Sequence, residues 1–339
     1  MMSESDRKQA KPVTIISGFL GAGKTTFLNE LIVHKKNRRL FIIENEFGSE
    51  GIDAELIAAP HDGIFELNNG CLCCSLNEGF SDLLKTIWRR KSEFDELVIE
   101  TTGIADPAMV ALPFLANPNI ESSYRLESVI CVVDAQLIEQ QLAETEDARR
   151  QIVFADLILM NKVDTVRNGH NKHLEALLQS INPSAVIRSG NRETGYPFTE
   201  LLALSRNDFD HKIAMECSSG NAAENEIENG HQEHHHRGLS SLSFVFDEPF
   251  DLEWFQHRLM MFLRFQAKDI YRIKGVIWAM EEKHKVIVQS VSKMLAISQG
   301  NEWKTDEIRR SRMVFIGRDL KSKGIEQMLK QLLAKRTHK

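Results

Sequence analysis

The sequence predicts an α/β fold, a mostly parallel sheet flanked by helices, followed by a small C-terminal α+β domain. From Pro12 to about Leu204, short apolar runs alternate with segments of helical period. Fully apolar strands separated by helices belong to a parallel sheet covered on both faces. A glycine-rich turn, Gly18 to Thr25, joins the first such run to the first helical segment. After about Ser205 the texture changes, and strands with one apolar face resume only beyond Gly238.

The elements follow in order. Val13 to Ile16 reads as a strand, Thr25 to Lys35 as a helix, Leu40 to Ile43 as a second strand and Gly63 to Leu67 as a third. Ser75 to Trp88 is helical, with Leu76, Phe80, Leu83, Leu84 and Ile87 near helix period. Leu97 to Ile99, Val129 to Val133 and Leu157 to Met160 are strands, Leu174 to Ile181 is a helix, and Ala185 to Ile187 is a closing strand. In the last part, Leu239 to Phe246 is a strand with Leu242, Phe244 and Phe246 on one face, and Leu252 to Phe265 is an amphipathic helix. Ile273 to Met280 and Lys285 to Val291 pair around a Glu-Lys-His turn, Met313 to Ile316 is a strand, and Ile325 to Leu333 is a closing helix. The expected division is a polar tail (1–11), an α/β domain (12–204), a linker (205–238) and a C-terminal domain (239–339). Ser218 to Gly238 is rich in Asn, Glu, Gly and His and has almost nothing with which to form a core.

Of the 339 residues, 42% are apolar and 27% charged, as in soluble globular proteins. A net charge of −6 argues against non-specific binding to nucleic acid or anionic membrane. No apolar run reaches the length of a membrane span, and Met1 to Pro12 lacks the apolar core of a signal peptide. A cytoplasmic location is the default expectation. Three of the five cysteines, Cys71, Cys73 and Cys74, are too close for a disulfide framework. Cys131, inside the run Val129 to Val133, reads as a buried small hydrophobe, and Cys217 stands alone in a polar stretch.

Gly18 to Thr25 matches G-x-x-x-x-G-K-[ST] in full, with a strand before it and a helix after it. This is the phosphate-binding loop of P-loop NTPases. Gly18, Gly21 and Gly23 allow positive φ and bring backbone N–H groups, with those of Ala22 and Thr26, to the phosphates. Lys24 is expected to reach the β- and γ-phosphates and Thr25 to ligate Mg²⁺. Glu100 ends an apolar strand and Gly103 follows three positions on. Glu100 is expected to hold Mg²⁺ directly or through water, and Gly103 to place a backbone N–H near the γ-phosphate, so that Lys24 and Gly103 both serve hydrolysis. Asn161-Lys162-Val163-Asp164 follows another strand in the N-K-x-D pattern. Asp164 can accept from guanine N1–H and the N2 amine, donors that adenine lacks, while Asn161 braces the loop and Lys162 packs over the ring. GTP is therefore the expected nucleotide. Ser189-Gly190-Asn191 is a candidate for a further base-contacting loop.

Cys71, Cys73 and Cys74 lie between a strand and a helix, where three thiols can converge on one soft or borderline cation. Three thiolates leave a fourth tetrahedral position for exchange. Zinc is the first choice, ahead of Cu(I), Co²⁺ and Ni²⁺; a redox role for the thiols is the rival. Glu44, in Glu44 to Gly48 after the second strand, is a candidate fourth ligand or relay, or else a solvated loop acid. His231, His234, His235 and His236 can capture Zn²⁺ or Ni²⁺ loosely, or belong to a solvated linker.

On these residues the chain resembles the CobW-like metallochaperone GTPases, cousins of the nickel-insertion GTPases that serve urease and hydrogenase. Gly18 to Thr26, Glu44 to Gly48, Asn69 to Ser75, Glu100 to Gly103 and Asn161 to Asp164 occur in the family order over the first 200 residues or so. The His-rich linker and small last domain also have counterparts there. The resemblance implies zinc or a related metal at Cys71, Cys73 and Cys74, slow GTP hydrolysis, and delivery of metal to a client metalloprotein. Related GTPases often act as dimers, which leaves a homodimer open. Some relatives carry a second acid directly after the Glu-Phe-Gly run; here that position is Ser49, with Glu50 one later. Three other readings stand beside this one: an insertase dedicated to cobalt, as in cobalamin synthesis, or to another metalloenzyme; a zinc buffer that uses nucleotide only structurally; and a redox-sensing GTPase.

Overall fold

The structure is a computed structural model that describes residues 10–46, 64–70, 78–167, 169–203, 239–266, 269–291 and 294–334. The described residues divide into two compact units, one carrying a seven-stranded sheet and the other a five-stranded sheet.

In the first unit the strands are β1 (Lys11–Ser17), β2 (Leu40–Glu46), β3 (Ile64–Gly70), β4 (Glu96–Glu100), β5 (Tyr124–Asp134), β6 (Leu157–Asn161) and β7 (Val186–Ser189). Their spatial order is β3-β2-β4-β1-β5-β6-β7, and every pairing is parallel. The expected mostly parallel sheet is thus wholly parallel among the described strands. All five residues of β4 and of β6 are buried, as parallel strands covered on both faces require. Helices α1 (Lys24–His34), α2 (Glu78–Trp88), α3 (Pro107–Ala116), α4 (Pro118–Glu121), α5 (Ile138–Glu144), α6 (Glu146–Phe154), α7 (His170–Ile181) and α8 (Phe198–Ala203) make the connections. Helices α3 to α6 were not read from the sequence. Their amphipathic signal is weak or interrupted: α3 is apolar around its circumference and contains Pro113, and α5 spans only seven residues. The starts of α3, α4 and α6 are nevertheless well specified, since Asp106, Asn117 and Thr145 each accept a backbone N–H two or three residues on, whereas α5 has no side-chain cap.

The N-terminal edge of the sheet carries a buried charge. Glu96, 3% exposed, accepts from Lys35 Nζ at 2.6 Å and from Thr14 Oγ1 at 3.1 Å. Pairing with a cation and a hydroxyl is what makes a carboxylate tolerable there.

Chain direction fixes where loops gather. From β1 the chain passes to β2 on one side of the sheet, and after β4 it crosses to β5 on the other. The loop after β1 therefore sits at the topological switch point, beyond the C-terminal strand ends, where open α/β sheets bind ligands.

The second unit is an antiparallel sheet in the order β11-β10-β9-β12-β8. It is built from β8 (Leu239–Phe246), β9 (Ile270–Ile277), β10 (His284–Val291), β11 (Met294–Glu302) and β12 (Ser311–Arg318), with α9 (Leu252–Gln266) and α10 (Ser322–Lys330). Phe255, Leu259 and Leu263, one turn apart along α9, join Phe244, Met313 and Phe315 of the sheet in one core. Strand β11 went unread because its side chains are intermediate or exposed and carry no continuous apolar face. Among the described residues no helix is long and apolar enough to cross a membrane.

Phe315 is fully buried, edge-on to Phe244 at 5.7 Å and to Phe262 at 6.4 Å. Phe315→Ala should lower the unfolding free energy of this unit by about 3–5 kcal/mol in a urea titration. A loss below about 1 kcal/mol would mean the core is not organised around this ring.

Candidate nucleotide and metal site

The glycines of the loop after β1 are required by geometry. Gly18 has φ +142°, and a Cβ there would lie 2.1 Å from the carbonyl oxygen of Val132 on β5. Gly23 has φ +96°, and a Cβ would lie 2.3 Å from Asn161 Nδ2. Gly23 also caps α1 without a side-chain bond, and the first turn of α1 holds no acidic residue. The N–H groups that open this helix are thus left to an external anion.

Lys24 is 9% exposed, and its ammonium donates to the carbonyls of Gly18 (3.0 Å) and Phe19 (3.3 Å). Burial lowers its pKa, an effect that the nearby Glu100 charge opposes. Thr25 Oγ1 donates to Glu100 Oε1 at 2.8 Å. Glu100, 8% exposed, ends β4 in register with Glu44 at the same level of β2. The pairing sets the two carboxylates on the same side of the sheet.

Beyond Glu100, Thr101 N–H donates to the carbonyl of Ile16 at 2.9 Å, tying this segment to β1. The Thr102 hydroxyl is buried and has no hydrogen-bond partner among the described residues. Gly103 lies against the P-loop, where a Cβ would meet Leu20 at 2.6 Å. Its carbonyl accepts from Gln151 Nε2 at 3.0 Å, and the same amide donates to Ala105 at 3.2 Å. Asp106 then caps α3; burial raises its pKa despite its bond from Ala108 N–H.

Asn161 joins two loops. Its Nδ2 donates to the carbonyl of Ala22 at 2.8 Å, while its Oδ1 accepts from Lys162 N–H at 2.9 Å and Tyr196 Oη at 3.2 Å. Lys162, at φ +59°, extends its ammonium to the Gly21 carbonyl (2.7 Å) and Asp134 Oδ2 (2.6 Å). Asp164 is exposed on the 3₁₀ turn Val163–Thr165. It lines a cavity of 270 Å³ together with Thr26, Asn161, Lys162, Asn191 and Arg192. Of the expected loop 189–191, Asn191 is therefore on the wall of this cavity, and its Oδ1 accepts from Thr194 N–H at 2.7 Å.

The structure thus brings together Gly18, Gly21, Ala22, Gly23, Lys24, Thr25, Thr26, Glu44, Glu100, Gly103, Asn161, Lys162 and Asp164 at one edge of one sheet. Cys71, Cys73 and Cys74 lie outside the described residues, as do His231, His234, His235 and His236. Sequence reasoning missed Asp134, Gln151 and Tyr196. Asp134 had a signal, since it ends an apolar strand as Glu100 does; a glutamine on a helix and a tyrosine in a loop had none.

For Mg²⁺ the donor set at the loop fits: a threonine hydroxyl bonded to a buried carboxylate, a second carboxylate in register beside it and an orphaned buried hydroxyl are all hard oxygen donors.

Strand order and the glycine loop at the switch point define a P-loop nucleotide-binding fold. Residues 12–188 match the family described as "CobW/HypB/UreG, nucleotide-binding domain", and residues 239–333 match "Cobalamin synthesis protein cobW C-terminal domain". The chain belongs to the CobW/HypB/UreG family. It is 30% identical over 321 residues to the zinc chaperone YjiA of Escherichia coli, an alignment covering 92% of this chain and 96% of that one. It is 30% identical over 359 residues to the zinc chaperone CobW of Pseudomonas aeruginosa, covering 95% and 92%. Its fold superposes on the crystal structure of Zn(II)-bound YjiA GTPase from E. coli with a TM-score of 0.68 at 26% identity, covering 96% of this chain and 99% of that one.

Cys131 is paired in register with Ser17, the residue before the P-loop, and is 1% exposed. Burial pushes its thiol up to about 12. Because the folded value exceeds the ordinary thiol value of about 8.5, the neutral thiol stabilises the fold fully below that pH, and the contribution declines above it. At about pH 8.5, iodoacetamide labelling read peptide by peptide should leave Cys131 unmodified in the folded chain and modify it in urea. Labelling of the folded chain at the rate of a free thiol would contradict this burial.

Proposed function

We propose that this chain is a GTP-hydrolysing carrier that binds zinc at Cys71, Cys73 and Cys74 and passes it to a client metalloprotein. The observation that carries the reading is strand placement. β3 ends at Gly70, the residue before Cys71, and lies two strands from β4, which ends at Glu100. Glu44, on the strand between, is in register with Glu100. A cysteine loop after β3 and the Glu100 segment after β4, rooted on one sheet edge, can act on each other through a single intervening strand. Whole-length similarity to two zinc chaperones supports zinc as cargo, ahead of cobalt or nickel.

In this reading the N–H groups at the start of α1 and of the glycine loop bind the phosphates. Lys24 exchanges its two carbonyl partners for phosphate oxygens, which restores to the buried ammonium the charge complement that burial has cost it. Thr25 and Glu100 hold Mg²⁺, which neutralises charge on the β- and γ-phosphates when bound. Gly103, pressed against Leu20 and held at its carbonyl by Gln151, offers its N–H to the terminal phosphate, so loss of that phosphate releases the 101–106 segment. Asn161 sets the base loop against the P-loop, Lys162 bridges Gly21 and Asp134, and Asp164 reads guanine. Residues 12–204 form the GTPase domain, 205–238 a linker bearing the His tract, and 239–339 the second domain.

Asp164→Asn tests the nucleotide assignment. An aspartate accepts two hydrogen bonds from the guanine edge, from N1–H and the N2 amine, whereas an asparagine can donate to the C2 carbonyl of xanthine. The variant should lose GTP by about 100-fold or more and gain xanthosine triphosphate, read as binding and as steady-state phosphate release. Unchanged GTP preference would remove Asp164 from the base site.

A further inference from the structure

Net charge hides a strong asymmetry along this chain. Residues 239–339 carry 19 Lys and Arg against 12 Asp and Glu, a net of +7, whereas the preceding 238 residues carry 23 against 36, a net of −13. Within the basic part, α9 has two faces of opposite character. Phe255, Leu259 and Leu263 are wholly buried in the core. On the other side, Trp254 (66% exposed), Met261 (37%) and Phe265 (77%) follow one another at intervals of seven and four residues, with Met260 (54%) beside them. Arg258 lies in the same stripe between Trp254 and Met261, and Arg264 adjoins Phe265; both arginines are exposed, as is Glu253 near the helix start. The four aromatics of this helix therefore divide, with Phe255 and Phe262 serving the core and Trp254 and Phe265 left to solvent. Contiguous Trp, Met and Phe side chains interleaved with Arg have the composition of a protein-docking surface.

We propose that the outer face of α9 docks an acidic amphipathic segment of a partner protein, with Trp254, Met261 and Phe265 as apolar anchors and Arg258 and Arg264 as partners for its carboxylates. The two exposed guanidiniums set among these apolar side chains favour an acidic occupant and speed its encounter. Nucleic acid fits less well: a polyanion is tracked by a run of cations, and this face offers two guanidiniums among four large apolar side chains. Taking the partner to be a recipient of carried metal rests on the proposed function; the docking chemistry does not.

The test uses the full chain without nucleotide or zinc. The probe is a fluorescein-labelled helical peptide of about 18 residues, with leucines at i, i+3, i+4 and i+7 spacing and glutamates elsewhere, set beside a counterpart with lysine for glutamate. Anisotropy should show saturable binding of the acidic peptide only. Trp254→Ala with Phe265→Ala should weaken it about tenfold or more. Arg258→Glu with Arg264→Glu should abolish it and confer binding on the lysine peptide. These side chains are exposed, so thermal melts of the variants should match the parent. Equal affinity for both peptides, or no effect of removing Trp254 and Phe265, overturns the proposal. An oligoribonucleotide that binds this face in preference to the acidic peptide assigns it to nucleic acid instead. Self-association lost in the same variants assigns it to a second copy. If docking fails while zinc and GTP binding persist, the surface assignment alone falls.

Discussion

Parallel pairing imposes the constraint on which the first unit depends. Seven strands running one way must end on one edge, and the backbone can turn there only where crowding permits. Gly18 meets the carbonyl of Val132 at a distance no side chain could tolerate, and Gly23 packs against the amide of Asn161. With these two contacts the loop after β1 closes over the strand ends, Lys24 is buried against the carbonyls of Gly18 and Phe19, and Thr25 reaches Glu100. The loop 161–164 depends on the same junction, because one asparagine side chain is bonded to Ala22 on one side and to Lys162 and Tyr196 on the other.

Residues so connected do not behave as independent contributors. Gln151 lies 48 positions from Gly103 in sequence yet holds its carbonyl from a neighbouring helix, and Asp134 anchors Lys162 from the end of β5. Each is a polar group under 3% exposed whose bonds go to backbone or to another functional side chain. Such groups are costly to leave unpaired. Any movement of the 101–106 segment must therefore find new partners for Gln151, whose amide holds the carbonyls of Gly103 and Ala105.

What could be read in the sequence followed from local physics. The glycine loop, the buried strands and Glu100 at the end of its strand announced themselves, because each is set by a few neighbouring residues. Helix α3 did not, since a helix apolar on all sides with an internal proline has no periodic signature. Strand β11 did not either, lying half exposed at the edge of its sheet. In the site, Gly18 and Lys24 were legible from spacing, whereas Tyr196 and Gln151 acquire their roles only through contacts across 35 and 48 residues. Net charge is a coarser quantity: a value of −6 averages a basic last part against an acidic remainder.

The central claim is that sulfur-bound zinc and guanine nucleotide occupy one scaffold and change each other's affinity. Isothermal titration of zinc into the full chain, with GDP bound and then with a non-hydrolysable GTP analogue and Mg²⁺, tests it most directly. Zinc affinity should differ between the two states by about fivefold or more, and the difference should vanish when Cys71, Cys73 and Cys74 are replaced together by serine. Equal zinc affinity in the nucleotide-free, GDP and triphosphate states would contradict it.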